Sequence, residues 1–132
     1  MSPQKTRLQA SDNLHVRRVS AYGETDGRPY VAVDGQIFTQ SLVLTLEEVR
    51  DWPPQAFAEI TPQHIALLLE HNPELVLLGT GVRQQFPASS LSRVCEEKGV
   101  GFEVMTTPAA CRTYNLLAGE DRLVVAALLM EG

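Results

Sequence analysis

From Ser41 onward the chain alternates short, nearly unbroken apolar runs with segments whose apolar residues recur at helical spacing. The apolar runs are "SLVLT", "ELVLL", "VGFEVM" and "RLVVAALLM", and the segments between them are "ITPQHIALLLEHN", "ASSLSRVCEEKG" and "PAACRTYNLLAGE". Apolar runs without polar alternation suit strands covered on both faces, and the intervening helical segments supply the cover. The order strand, helix, strand, helix, strand, helix, strand predicts an α/β fold, with a mostly parallel sheet and helices packed against it in layers. The last strand follows its helix so closely that the pattern leaves its direction open.

The helix ends are marked by local chemistry. Thr61 is expected to cap the first helix, with Pro62 in its first turn and Asn72-Pro73 ending it. Lys98 and Gly99 stop the second helix. Ahead of this alternation, residues 1–12 are polar and without period, and read as a flexible lead-in to one domain over residues 13–132. "LHVRRVSAY" reads as a strand with a bulge between Arg17 and Arg18, followed by turn residues in "YGETDGRP". "YVAVDGQIF" reads as two strands joined by Asp34-Gly35, a dipeptide that tolerates the positive φ of a tight hairpin turn. The N-terminal third is thus a small antiparallel β unit. "LEEVRDWPP" leads away from "SLVLT", and Trp52, beside two prolines, is expected to plug the edge of the core.

Composition closes several functional classes. The chain has 132 residues, 44% of them apolar and 20% charged, with 11 basic against 16 acidic side chains. That is enough to bury a core without a disulfide or metal staple. Nothing after Arg28 forms a basic cluster, which argues against nucleic acid. No apolar run approaches the roughly 20 residues of a membrane-spanning helix, so the expectation is a soluble, cytoplasmic protein without membrane insertion. Cys95 and Cys111 lack CxxC spacing and are read as reduced thiols. His64 and His71 share a helical face, but no third ligand completes a set; no metal or cofactor is expected.

Two junctions follow strands of the expected parallel sheet, where ligands gather in such folds. One is "LLGTGVRQQFP". Its turn, Gly79, Thr80 and Gly81, with Arg83 beside it, is a candidate anion nest. It is not a dinucleotide fingerprint, because Phe86-Pro87 delays the helix. The other is "TTPAACRTYN", where Thr107 is expected to cap a helix starting at Pro108 and to leave N–H groups for an anion. Cys111, near that helix start, reads as a buried hydrophobe or as a thiol activated by the helix dipole. Asn115 serves to hold a neighbouring loop or to bind. The candidate pocket therefore comprises Gly79, Thr80, Gly81, Arg83, Thr106, Thr107, Cys111 and Asn115.

The Gly-Thr-Gly turn and "TTPAACRTYN", with "SLVLT" and "DWP" before them, resemble the small uncharacterised domain family that includes the mitochondrial respiratory complex I assembly factor three and the adipogenesis-associated protein of animals. The resemblance implies three layers around a central mixed sheet whose last strand is antiparallel to the rest, and action through protein partners without an established enzymatic activity. Two readings follow. The first is a non-catalytic binding or assembly module, monomeric or homodimeric, with a protein partner and a small anion pocket. The second is a small-molecule enzyme using Cys111 or Arg83 near the Gly79–Gly81 turn.

Overall fold

The computed structural model describes residues 15–132. Two sheets are present. The smaller is antiparallel and contains β1 (Val19–Thr25), β2 (Arg28–Val33) and β3 (Gln36–Phe38), in that order. The larger contains β4 (Leu42–Leu44), β5 (Val49–Asp51), β6 (Leu75–Gly79), β7 (Gly101–Met105) and β8 (Val124–Leu128), in the order β5-β4-β8-β6-β7. Three α-helices, α1 (Pro62–Leu68), α2 (Ser89–Glu96) and α3 (Thr107–Gly119), cover it.

The apolar runs occupy the larger sheet because alternate residues of each meet a different core. Leu42, Leu44, Leu77, Ala126 and Leu128 face α3 and the inner side of the small sheet, where Val31 and Val33 wait. Val43, Val76, Leu78, Val125 and Ala127 face the other way, onto Ile65 and Leu68 of α1 and Leu91 and Cys95 of α2. Trp52 is buried in this second core, at its edge, as its prolines suggest.

The sheet is mixed, and the direction of its last strand differs from the implied one. β8 runs parallel to β6, with Leu75 opposite Val124 and Gly79 opposite Leu128, and antiparallel to β4. The length of α3 explains this. Its 13 residues carry the chain back about 20 Å along the sheet, so β8 starts at the same end as β6. The one strand of this sheet that runs against the others is β4; β5, antiparallel to β4, runs in the direction of β8. β5 is the strand that "LEEVRDWPP" conceals: Thr45 Oγ1 accepts from the Glu47 and Glu48 amides and folds the chain back into a hairpin.

In the small sheet the two-residue turns are Asp26-Gly27 and Asp34-Gly35, all four residues at positive φ. The second is the expected hairpin. The first lies inside "YGETDGRP", and only Asp26 and Gly27 of that stretch turn, because β1 continues to Thr25 and β2 begins at Arg28. The bulge falls between Val19 and Ala21, not at Arg17 and Arg18. The reason is that the Arg17 amide is already bonded to the Leu46 carbonyl at 2.9 Å and the Arg18 carbonyl to the Asp34 amide at 3.0 Å. Leu14 and the lead-in over residues 1–12 lie outside the described residues.

α1 is capped by Thr61 as expected, and His64 completes the box: its Nδ1 accepts from the Thr61 amide at 3.0 Å while Thr61 Oγ1 accepts from the His64 amide at 3.3 Å. Among the described residues no cluster of His, Cys, Asp or Glu is placed to hold a metal ion, and no helix is long and apolar enough to cross a membrane.

Candidate functional site

β6 leads through α2 to β7 on one side of it, and β7 leads through α3 to β8 on the other. Right-handed crossovers with that reversal place the two helices on opposite faces and open a crevice between β6 and β8 at their carboxyl ends, the usual ligand position in such sheets. Here Thr107 fills it. Its hydroxyl donates to the Leu129 carbonyl at 2.7 Å and accepts from the Gly81 amide at 2.8 Å, so one buried side chain ties the ends of both strands to the start of α3.

The Gly-Thr-Gly turn is shaped by this closure. A Cβ on Gly79 would lie 2.8 Å from Thr107 Oγ1 and 3.0 Å from its Cα. Gly81 has φ of 96°, and a Cβ there would overlap the Glu131 carbonyl oxygen. The amides expected to form an anion nest are engaged: Thr80 to the Met105 carbonyl, Gly81 to Thr107 and Val82 to the Glu131 carbonyl. Thr80 is buried, with its hydroxyl donating to the Arg83 carbonyl at 2.6 Å.

The cap of α3 is Thr106, one residue earlier than expected; its hydroxyl accepts from the Ala109 amide at 3.4 Å. Thr107 is drawn into the crevice instead. Its amide donates to the Gly81 carbonyl, and the Ala110 amide to the Thr106 carbonyl. Pro108 has no N–H, so the first turn of the helix keeps no free donor for an anion.

The rest of "TTPAACRTYN" joins the two sheets. Asn115 pairs with the backbone of Val19 in both directions, Oδ1 accepting at 2.9 Å and Nδ2 donating at 2.8 Å. It thereby acts as one more strand residue for β1. The Tyr114 hydroxyl lies 2.8 Å from the Arg17 carbonyl and 3.0 Å from that of Thr45, as donor. Burial pushes its pKa well above the usual phenol value. Arg112 reaches the Tyr22 hydroxyl at 3.1 Å. Cys111 is fully buried against the small sheet, and burial pushes its thiol up to about 12 against the opposing charge of Arg112. At neutral pH it is a small apolar side chain.

A cleft remains beside the closed crevice. It measures about 260 Å³ and lies between the β1–β2 hairpin and the start of α3, lined by Tyr22, Gly23, Tyr30, Val82, Thr107 and Pro108, with Glu24 at its edge. Of the eight expected site residues only Gly81 and Thr107 line it. Gly79 and Thr80 are buried behind it, Cys111 and Asn115 face the small sheet, and Arg83 stands exposed on the loop that leaves Val82. Sequence reading missed the tyrosines because they converge only through the register that sets Gly23 opposite Tyr30. It also missed Glu131, whose carboxylate accepts from the Phe57 amide at 2.8 Å and from Gln85 at 3.2 Å.

The same architecture occurs in solved structures. A Bordetella parapertussis protein superposes with a TM-score of 0.81 at 37% identity, over 88% of this chain and 97% of that one. A Mth938-like domain of Bordetella pertussis superposes with a TM-score of 0.74 at 32% identity, over 100% and 94%. In sequence, the chain is 30% identical to the 13 kDa major membrane protein of Francisella tularensis subsp. holarctica, over 70% of this chain and 76% of that protein. It is 32% identical to the human NADH dehydrogenase (ubiquinone) 1 alpha subcomplex assembly factor 3, over 74% of this chain and 54% of that protein, and so spans about half of that relative's length. The family model for a protein of unknown function, DUF498/DUF598, matches residues 24–129, and the chain belongs to that family.

Proposed function

We propose that the chain is a non-catalytic docking module of the cytoplasm, which acts by holding protein partners on the face around the Tyr22–Val82 cleft. The observation that supports this best is the use made of the polar residues in "TTPAACRTYN". Thr106, Thr107, Tyr114 and Asn115 direct their side chains to backbone groups of the fold itself. They build a rigid platform, and what that platform offers outward is a small apolar cleft with exposed Val82 beside it. The assembly-factor names among the relatives point the same way.

The second reading, a small-molecule or anion site, retains Arg83, which is exposed beside the cleft. An amide chemical-shift titration with phosphate, nucleotides and small carboxylates separates the two. The docking reading expects no saturable shifts at Gly81, Val82 or Thr106 to Ala109, whereas saturable shifts there at millimolar ligand or below would replace it with the second. A photo-crosslinker at Val82 tests docking directly in cells: discrete protein adducts are expected, absent when the crosslinker is moved to Leu67 on the opposite face.

A further inference from the structure

The loop that leaves the cleft wall at Val82 carries a feature that the fold does not use. Phe86 is 82% exposed, the most exposed of the large apolar side chains described. Its loop is nonetheless held at several points. Thr80 Oγ1 donates to the Arg83 carbonyl at 2.6 Å, Gln84 Nε2 to the Val104 carbonyl at 3.2 Å, and Gln85 Nε2 to the Glu131 carboxylate at 3.2 Å. Pro87 fixes the backbone on the other side. A phenyl ring presented on an anchored loop loses little freedom on binding, which is the property of an interface anchor.

The anchor and the cleft lie close enough along the chain for one partner to cover both. Val82 is in the cleft wall, and four residues of chain place Phe86 at most about 14 Å from it. A standard interface covers about 800 Å² on each partner, wide enough to include both. The cleft, at about 260 Å³, lies below the range of small-molecule pockets and suits a single aromatic side chain. The charges are complementary in the same sense. Arg83 lies three residues before the ring and Glu24 lies at the cleft, both exposed, and among the described residues neither forms an ion pair. A surface that carries a knob beside the Arg83 cation and a hole beside the Glu24 carboxylate, with Arg112 at that hole donating to the Tyr22 hydroxyl, can pair with itself under a two-fold axis.

We propose that the chain pairs with a second copy through this face, each copy seating its Phe86 in the other's Tyr22–Tyr30–Val82 cleft with Arg83 against the partner's Glu24. This rests on the docking reading above and names its first partner. Because the axis repeats every contact, each substitution counts twice.

Sedimentation equilibrium on the intact chain tests it. Concentration-dependent dimerisation is expected, and Phe86→Ala should weaken it at least about 100-fold, tenfold for each ring. Arg83→Glu and Glu24→Arg should each weaken dimerisation alone. Mixed together they should restore it, because both cross-pairs then carry opposite charges. All three variants lie on exposed positions, and their thermal midpoints verify folding. A strict monomer at every concentration overturns the pairing, as does a dimer that Phe86→Ala and the charge reversals leave intact. Failure of the docking reading would show differently, as the absence of any protein adduct at Val82, whatever the state of association.

Discussion

Thr107 is the residue on which most of the molecule's geometry converges, and its hydroxyl has two tasks at once. Thr107→Val keeps the shape and removes both hydrogen bonds, leaving the Gly81 N–H and the Leu129 C=O buried without partners. Each orphaned group costs about 1–3 kcal/mol, so a total loss of about 2–6 kcal/mol is expected, read as a lower urea midpoint with an unchanged slope. Thr107→Ser should recover most of it. Cys111 offers a second test at this scale, through pH. Its folded pKa is raised by burial to about 12, above its ordinary value near 8.5. The unfolded thiol therefore ionises first, and the stability that depends on burying a neutral thiol is complete below about pH 8.5 and falls as pH rises toward 12, by up to about 1.4 kcal/mol per unit. Tyr114, raised in the same direction, adds to this at the upper end. Cys95, buried in the other core, is raised in the same direction, so denaturant melts at pH 8 and pH 10 should show the loss and Cys111→Ala should remove only its own share of it. A thiol reagent should modify Cys111 only as fast as the protein unfolds, whereas rapid modification in the folded state would restore the reactive-thiol reading.

Between elements, the junction of β6 with α3 depends on a glycine that only close backbone approach explains. Gly79→Ala would force its Cβ against Thr107 Oγ1 and Cα, and backbone cannot move aside as a side-chain tip can. A loss of about 2–3 kcal/mol is expected. Gly101→Ala, at the start of β7, would instead meet the Leu75 Cδ1 atom at 2.9 Å, a flexible tip. It should cost less than about 1 kcal/mol, and urea melts of the two variants side by side decide the point. Elements differ as much in how far sequence reveals them. β4, β6 and β8 of the larger sheet were legible because both faces are buried, which leaves a continuous apolar run. β5 was not, since "VRD" is a three-residue edge strand with Arg50 and Asp51 exposed. The cap of α3 was misplaced by one because two adjacent threonines have equal capping chemistry, and only the crevice between β6 and β8 decides which is drawn inward. The direction of β8 depended on whether α3 spans the sheet, a length that its polar end "AGED" obscures. The cleft was illegible altogether, since its walls come from a hairpin register and a loop separated by about fifty residues of chain.

At the scale of the whole molecule, the two cores share the larger sheet but differ in what they hold. One packs α1 and α2 against it, and the other packs α3 and the small sheet. The small sheet is attached by few groups: Asn115 to Val19, Arg112 to the Tyr22 hydroxyl, Tyr114 to the Arg17 carbonyl, the Arg17 amide to Leu46 and its side chain to the Glu47 carbonyl, and the inward side chains of β1 and β2. It is the part expected to detach first, while β6 and β8, paired on both sides, open only with the whole. Native-state hydrogen exchange should therefore give two free energies, the lower for amides of β1 to β3. Variants tell this apart from a single cooperative unit. Asn115→Ala removes hydrogen bonds that break in both openings, so it should lower both free energies equally and leave their difference unchanged. Ile65→Ala lies in the other core, which stays intact when the small sheet detaches. It should lower only the global value, by about 2–5 kcal/mol, and narrow the gap. If Ile65→Ala instead shifts β1–β3 amides as far as those of β6 and β8, the small sheet is not a separate unit. The cleft between it and α3 would then be as rigid as the core.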